Sequence, residues 1–167
     1  RMYADVFTEW FARYPRLKVL FTVSPIRYLN YGLHQNELGK ATLLLAQDNL
    51  VRLFPERCIY FPSYEILIDE LRDYRFYAED MAHPSKLAVD YIWEGLSNSF
   101  FSEETRRVIA DWEPVNKALK HRAVHPASEE YRQFVSKIVL KIKALKEKYP
   151  YLSVENELII CHTLLRQ

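Results

Sequence analysis

Leu17-Lys18-Val19-Leu20-Phe21-Thr22-Val23, closed by Ser24-Pro25, is a mostly apolar run rich in branched side chains. It shows no polar alternation, so it predicts a strand buried on both faces of a parallel sheet and stopped by the proline. In open α/β sheets ligands bind outside the carboxyl ends of the strands, which makes the polar groups just after Val23, Arg27 among them, candidates for a site. A plain turn with Arg27 in a surface ion pair is the competing reading. Upstream, Tyr3, Val6, Phe7, Trp10, Phe11 and Tyr14 recur at helical spacing as far as Tyr14-Pro15. Proline disfavours helix in the residue before it, so the first helix ends near Arg13.

Downstream, a loop with Tyr28, Asn30, Tyr31, Gly32, His34 and Asn36 leads to a helix over residues 37–53 with Leu38, Ala41, Thr42, Leu45 and Leu50 on one face. Leu43, Leu44, Ala46 and Leu53 widen that face so far that the helix should be covered on more than one side. Cys58-Ile59-Tyr60-Phe61 reads as the next parallel strand, with Pro62-Ser63-Tyr64-Glu65 at its carboxyl end, and the order strand, helix, strand implies a right-handed crossover. Residues 66–71 fit a short helix and an irregular extension equally. A charged, aromatic loop over residues 69–77 delivers Asp80 and His83, after which Ser85 is placed to cap a helix with Leu87, Ala88, Tyr91, Ile92 and Leu96 inward.

From Ser97 the character changes. A helix over residues 103–112 breaks near Pro114, and a basic segment ends at His125-Pro126. Ser128 begins a long helix with a narrow apolar seam of Tyr131, Val135, Ile138, Ile142, Leu145 and Tyr149, and a last helix over residues 153–165 turns Leu158, Ile159 and Leu165 inward. The expected organisation is an α/β domain over residues 1–97 with a helical extension, residues 98–167, packed on it.

The 167 residues, 49% hydrophobic and 14% aromatic, suffice for a sizeable core and argue against disorder. With 23 basic and 22 acidic residues the formal charge is +1, so no global field recruits nucleic acid or an anionic membrane. Cys58 and Cys161 lie far apart inside apolar runs, without metal-ligand spacing. They read as buried thiols, which favours a reducing, cytoplasmic compartment. No apolar run approaches the roughly 20 residues of a membrane-spanning helix, and no signal peptide opens the sequence. The aromatic pattern that follows Arg1 at once reads as the middle of a domain, so a preceding segment is expected.

Asp80-Met81-Ala82-His83 carries the chemistry. A carboxylate that accepts a hydrogen bond from one imidazole nitrogen fixes the tautomer and frees the other nitrogen to take a proton from a nucleophile, which is the back half of a hydrolytic triad. The spacing alone also suits a capping or loop-bracing histidine. Arg27, His34, Tyr64 and Glu65 are the candidates for shaping a pocket around the pair. His121, His125 and His162 read as surface or packing histidines of the helical tail. His34, Asp80 and His83 lack a compact ligand motif, so neither a metal nor another cofactor is expected.

Tyr60-Phe61-Pro62-Ser63-Tyr64-Glu65, continuing to Asp80-Met81-Ala82-His83-Pro84-Ser85, resembles the C-terminal signature of the GSCFA family, a branch similar to SGNH/GDSL hydrolases. Thr22-Val23-Ser24-Pro25-Ile26-Arg27, Gly32-Leu33-His34-Gln35-Asn36 and Lys40-Ala41-Thr42-Leu43-Leu44-Leu45 resemble it too. Lys117-Ala118-Leu119-Lys120-His121-Arg122 with His125-Pro126 is similar to the family's C-terminal extension, more loosely, and Gly39 stands where many members carry a small polar residue. The resemblance implies an SGNH-like three-layer α/β/α parallel sheet. It makes Asp80 and His83 the terminal Asp-x-x-His block, with His83 the general base, Asp80 its orienting partner, and the serine nucleophile and most of the oxyanion hole in earlier blocks. Neither Gly-Ser-Cys-Phe-Ala nor a Gly-Asp-Ser-Leu or Gly-x-Asn-Asp block occurs in these 167 residues, so on this reading the nucleophile lies upstream.

Two functions follow. One is a serine ester hydrolase or acyltransferase acting on a small-molecule or carbohydrate O-acyl ester. The other is a non-catalytic binding or scaffolding module that uses the basic helices, since residues 117–148 hold nine Lys or Arg against three Glu. Basic and apolar positions alternate there as on an ordinary solvated helix, and no base-stacking or groove-reading motif accompanies them, so neither nucleic acid nor membrane is an expected partner. A sheet without its upstream strands exposes an edge, which makes a homodimer of this piece an expected remedy.

Overall fold

A computed structural model describes residues 2–121, 125 and 128–166. The chain divides into two compact units, Arg1–Ser99 and Phe100–Gln167. Among the described residues it is mixed α/β but mostly helical, with a single parallel sheet of two strands and no wider layer.

In the first unit, α1 (Met2–Arg13) stops at the expected place. Its inner side packs edge-on into the sheet region, Phe7 against Phe21 at 5.5 Å between ring centres and Phe11 against Phe54 at 5.1 Å. Strands β1 (Val19–Phe21) and β2 (Cys58–Tyr60) pair in the register Val19 with Cys58, Leu20 with Ile59 and Phe21 with Tyr60. Arg57 ties their amino ends together, its side chain donating to the Leu17 carbonyl at 2.7 Å and the Tyr14 carbonyl at 2.8 Å. β1 is shorter than its apolar run and is not buried on both faces: Leu20 projects to a face of the sheet and is exposed there.

The crossover helix α2 (Leu33–Leu53) begins four residues before the expected start, so His34 and Asn36 are helical instead of lying in a loop. Gly32, at φ 78°, makes the turn into it, and the Asn36 N–H closes the first bond on the Gly32 carbonyl at 3.0 Å. The expectation that α2 is covered on several sides fails. Leu38, Leu43, Leu45 and Leu53 are exposed, and the buried positions are Asn36, Lys40 and Leu50. A two-stranded sheet covers one helix stripe, and the stripe chosen here is the one whose polar groups can complete the strand ends.

After β2, a short turn of helix α3 (Ser63–Glu65) widens into a π-helical segment, Ile66–Leu71, which resolves that stretch as helical. It ends on Arg72 in the left-handed region at φ 51°, with the Arg72 N–H on the Leu67 carbonyl at 3.1 Å. Asp73 then caps a 3-10 turn, Tyr74–Phe76, by accepting the Arg75 N–H at 2.9 Å. Helix α4 (Lys86–Phe100) follows, with the Ser85 hydroxyl accepting the Ala88 N–H at 3.3 Å as the sequence suggests. Leu67, Tyr77 and Ala88 form a small core between these pieces.

The second unit is a helical assembly of α5 (Glu103–Leu119), α6 (Glu129–Lys148) and α7 (Glu155–Leu164). Ser102 and Ser128 cap the first two through the N–H groups of Thr105 and Tyr131. The expected break at Pro114 does not occur: α5 runs through it, since proline forfeits one backbone bond while the adjacent Val115 is buried in the core. The seam is as read, with Val135, Ile138, Ile142 and Leu145 buried. The inward positions are Leu158 and Cys161 in α7 and Leu165 just after it, whereas Ile159 faces out, because it lies about 100° around the helix from Leu158. Arg122 and Pro126 fall outside the described residues. Cys58 and Cys161 are free and buried, and burial pushes both thiols up. No described helix is long and apolar enough to cross a membrane.

Ile142 is fully buried at the centre of the seam. Ile142→Ala should therefore cost about 2–5 kcal/mol, read from urea unfolding by circular dichroism; a loss under about 1 kcal/mol would show that the seam is not the core of this unit.

Candidate functional site

Parallel pairing brings both carboxyl strand ends to one edge, and polar side chains finish that edge. Lys40, almost wholly buried in α2, donates from Nζ to the Ser24 carbonyl and lies over the rings of Tyr28 at 4.6 Å and Tyr64 at 5.7 Å. Burial lowers its pKa from the usual lysine value, and the Glu37 carboxylate opposes that shift. Glu37 accepts from the Tyr64 hydroxyl at 2.8 Å and from Asn36 Nδ2 at 2.9 Å, while Asn36 Oδ1 accepts the Tyr28 N–H at 2.9 Å. The Ser63 hydroxyl donates to the Val23 carbonyl at 2.8 Å and is bonded to the Thr22 hydroxyl. Apart from the Asn36–Glu37 bond within α2, these bonds fasten chain past a strand to the crossover helix or to the other strand's end.

The segment bearing Asp80 and His83 lies on this edge. Tyr77 and Pro84 form an isolated antiparallel bridge, the Ala78 N–H donates to the His83 carbonyl at 2.8 Å, and the Ser85 N–H donates to the Phe76 carbonyl at 2.8 Å. Arg27 docks the loop to the chain leaving β1. Its N–H donates to the Ala82 carbonyl at 3.0 Å, its Nη1 to the Met81 carbonyl at 3.4 Å, and its guanidinium sits 4.0 Å over the Tyr77 ring. These bonds hold Met81 at φ 58°, a backbone state that costs a side-chain-bearing residue roughly 1–3 kcal/mol.

Within the turn, Asp80 Oδ1 accepts the N–H groups of Ala82 and His83, both at 2.9 Å, and Oδ2 lies 2.5 Å from His83 Nδ1. The backbone N–H of His83, then that of Ala82, then the imidazole hold the Asp80 carboxyl down at about 2. An ionised carboxylate only accepts, so Nδ1 carries a proton, and in the neutral imidazole the lone pair is on Nε2. Nε2 bonds to no described residue, and the His83 side chain is 61% exposed. The pair can therefore take a proton from a group presented at Nε2 and return it.

The other sequence-derived candidates separate. Arg27 is in contact with the turn. Tyr64 is buried with its hydroxyl committed to Glu37, and burial followed by that bond pushes its phenol well above the ordinary range. Glu65 accepts the Tyr60 hydroxyl on both oxygens at 2.9 and 2.8 Å and lines a separate cavity with Asp48. His34 is exposed on the first turn of α2. Among the described residues no three His, Cys, Asp or Glu side chains cluster, so His34, Asp80 and His83 do not form a ligand set. Lys40 and Tyr77 escaped sequence reasoning; for Lys40 the available signal was its position four residues after Asn36, a polar pair inside an apolar helix. A cavity of about 400 Å³ also opens beside the turn, bounded by Pro84, Leu20, Thr22, Phe61, Ile92 and Trp93 among others.

Residues 2–96 match the family model described as the GSCFA family, and residues 112–167 match the one described as GSCFA domain protein, C-terminal domain. No curated protein and no solved structure matches the chain.

Because the folded Asp80 pKa lies below the unfolded carboxylate value of about 3.9, the turn is fully stabilised above pH about 4 and loses that contribution as the pH falls toward 2. The amide resonances of Ala82 and His83 should titrate together with a midpoint near pH 2. A midpoint near pH 4 would show that the carboxylate does not hold these two N–H groups.

Proposed function

The chain belongs to the GSCFA family, and from that membership together with the geometry of the turn we propose that it supplies the acid–base half of a serine ester hydrolase or acyltransferase of the SGNH type. The observation that carries this reading is the 2.5 Å contact between Asp80 Oδ2 and His83 Nδ1 with Nε2 left open, at the carboxyl edge of a parallel strand pair. His83 Nε2 takes the proton of a serine hydroxyl supplied from outside these residues as the oxygen attacks the ester carbonyl; it then returns the proton to the departing alkoxide. Asp80 keeps the imidazole in the required tautomer and stabilises the imidazolium between the two transfers. Water as the second acceptor gives hydrolysis, and a sugar or other hydroxyl gives acyl transfer. The mostly apolar cavity beside Pro84 supports the choice of an O-acyl ester, since it offers the acyl group a place next to the base.

In the full protein, His83→Ala should reduce turnover of a chromogenic acetyl ester by roughly 10²–10⁴-fold, with an unchanged circular dichroism spectrum. Asp80→Asn should also lower the rate, because the amide no longer holds the imidazole in the productive tautomer. Rates equal to wild type in both variants would remove the catalytic reading.

A further inference from the structure

A second pocket, of about 170 Å³, is lined by Arg27, Leu67, Arg72, Asp73, Tyr74 and Tyr77 among others. Two arginines line it, and neither makes an ion pair with a described carboxylate. Asp73, also in the lining, is directed to Arg75 instead of to either of them. Its Oδ1 accepts the Arg75 N–H at 2.9 Å, and its Oδ2 faces Arg75 Nε at 3.8 Å. Arg27 uses Nη1 on the Met81 carbonyl and the face of its guanidinium on Tyr77, so its remaining N–H donors are uncommitted. Arg72 is there at a conformational cost, because it stands at the left-handed C-terminal position of the π-helical segment, where glycine is the residue without penalty. A cavity this small suits one compact group, and the guanidinium fork of an arginine matches the oxygens of a carboxylate, phosphate or sulfate, so two arginines in the lining favour an anion.

We propose that the Arg27–Arg72 pocket is an oxyanion-group subsite, which takes a carboxylate, phosphate or sulfate carried by the ester substrate. The subsite is tied to the segment that bears the base, since the Arg27 N–H is bonded to Ala82, the residue before His83, and Tyr77 is bridged to Pro84, the residue after it. The ester-borne source of the anion rests on the hydrolase reading, whereas the anion chemistry of the pocket does not.

The test uses the full protein and Arg72→Gly, a substitution that removes the guanidinium while relieving the positive φ, so the variant should melt no lower than wild type. Inorganic sulfate, titrated against chloride at constant ionic strength and followed by amide shifts at Tyr74 and Tyr77, should bind wild type and lose at least tenfold in affinity in Arg72→Gly. Arg72→Gln serves as a second variant and should show the same loss. Sulfate binding no better than chloride to wild type, or equal binding to the variants, overturns the subsite. For the source, the kcat/KM ratio of the 4-nitrophenyl monoester of succinate over 4-nitrophenyl butyrate should exceed one and fall about tenfold in Arg72→Gly. A ratio that does not move overturns the substrate-borne anion. Sulfate binding with neither ester cleaved supports the anion pocket while sinking the hydrolase reading, so the two failures are separable.

Discussion

The Asp80 carboxylate divides its two oxygens between two tasks, and the site depends on both being met by one anion. Oδ1 gathers the backbone N–H groups of Ala82 and His83 and so shapes the turn; Oδ2 holds His83 Nδ1. The same N–H groups that shape the turn keep the carboxyl ionised far below neutral pH. A protonated acid would donate to Nδ1 where an acceptor is needed and so favour the opposite tautomer, with the proton on Nε2. Loop geometry and imidazole orientation are therefore coupled, and the left-handed Met81 is tolerated because its carbonyl accepts from Arg27 and its N–H donates to the Ala78 carbonyl.

The parallel strand pair decides where this turn can sit. With β1 and β2 in register, Thr22 and Phe61 leave the sheet side by side, and the chain following each must be anchored to something. Helix α2 supplies the anchor through a buried polar stripe, which reverses the usual arrangement of an amphipathic helix. Lys40 is acceptable there because it gains a carbonyl acceptor and two aromatic faces in place of water. The leucines displaced from that stripe lie exposed on the rest of the helix.

The helical unit obeys a simpler rule. Its core is one seam of branched residues on α6 closed by Val115, Val154 and Cys161, with serine caps marking where α5 and α6 begin. Asp111, which accepts from both Lys148 and Tyr149 at 2.7 Å, joins the end of α6 to α5. Such local packing tolerates Pro114 within a helix, because the lost backbone bond is small beside the burial of its neighbours.

By itself the sequence determined what short-range physics controls: the end of α1 at Pro15, the two strand cores, the caps at Ser85 and Ser128, the seam from Tyr131 to Tyr149, and the Asp80–His83 pair, whose three-residue spacing lets a turn bring carboxylate and imidazole together. Tertiary structure alone decided which side of α2 turns inward, because an apolar count cannot reveal that strand-end carbonyls and tyrosine rings will receive a lysine. It also decided the fate of the pocket candidates. Arg27 meets the turn because residues 80–82 fold back across 54 positions of chain, whereas Glu65 is claimed by Tyr60 and Tyr64 by Glu37. Those outcomes depend on partners distant in sequence, whose approach is set by packing and hydrogen-bond competition and leaves no periodic trace in the chain.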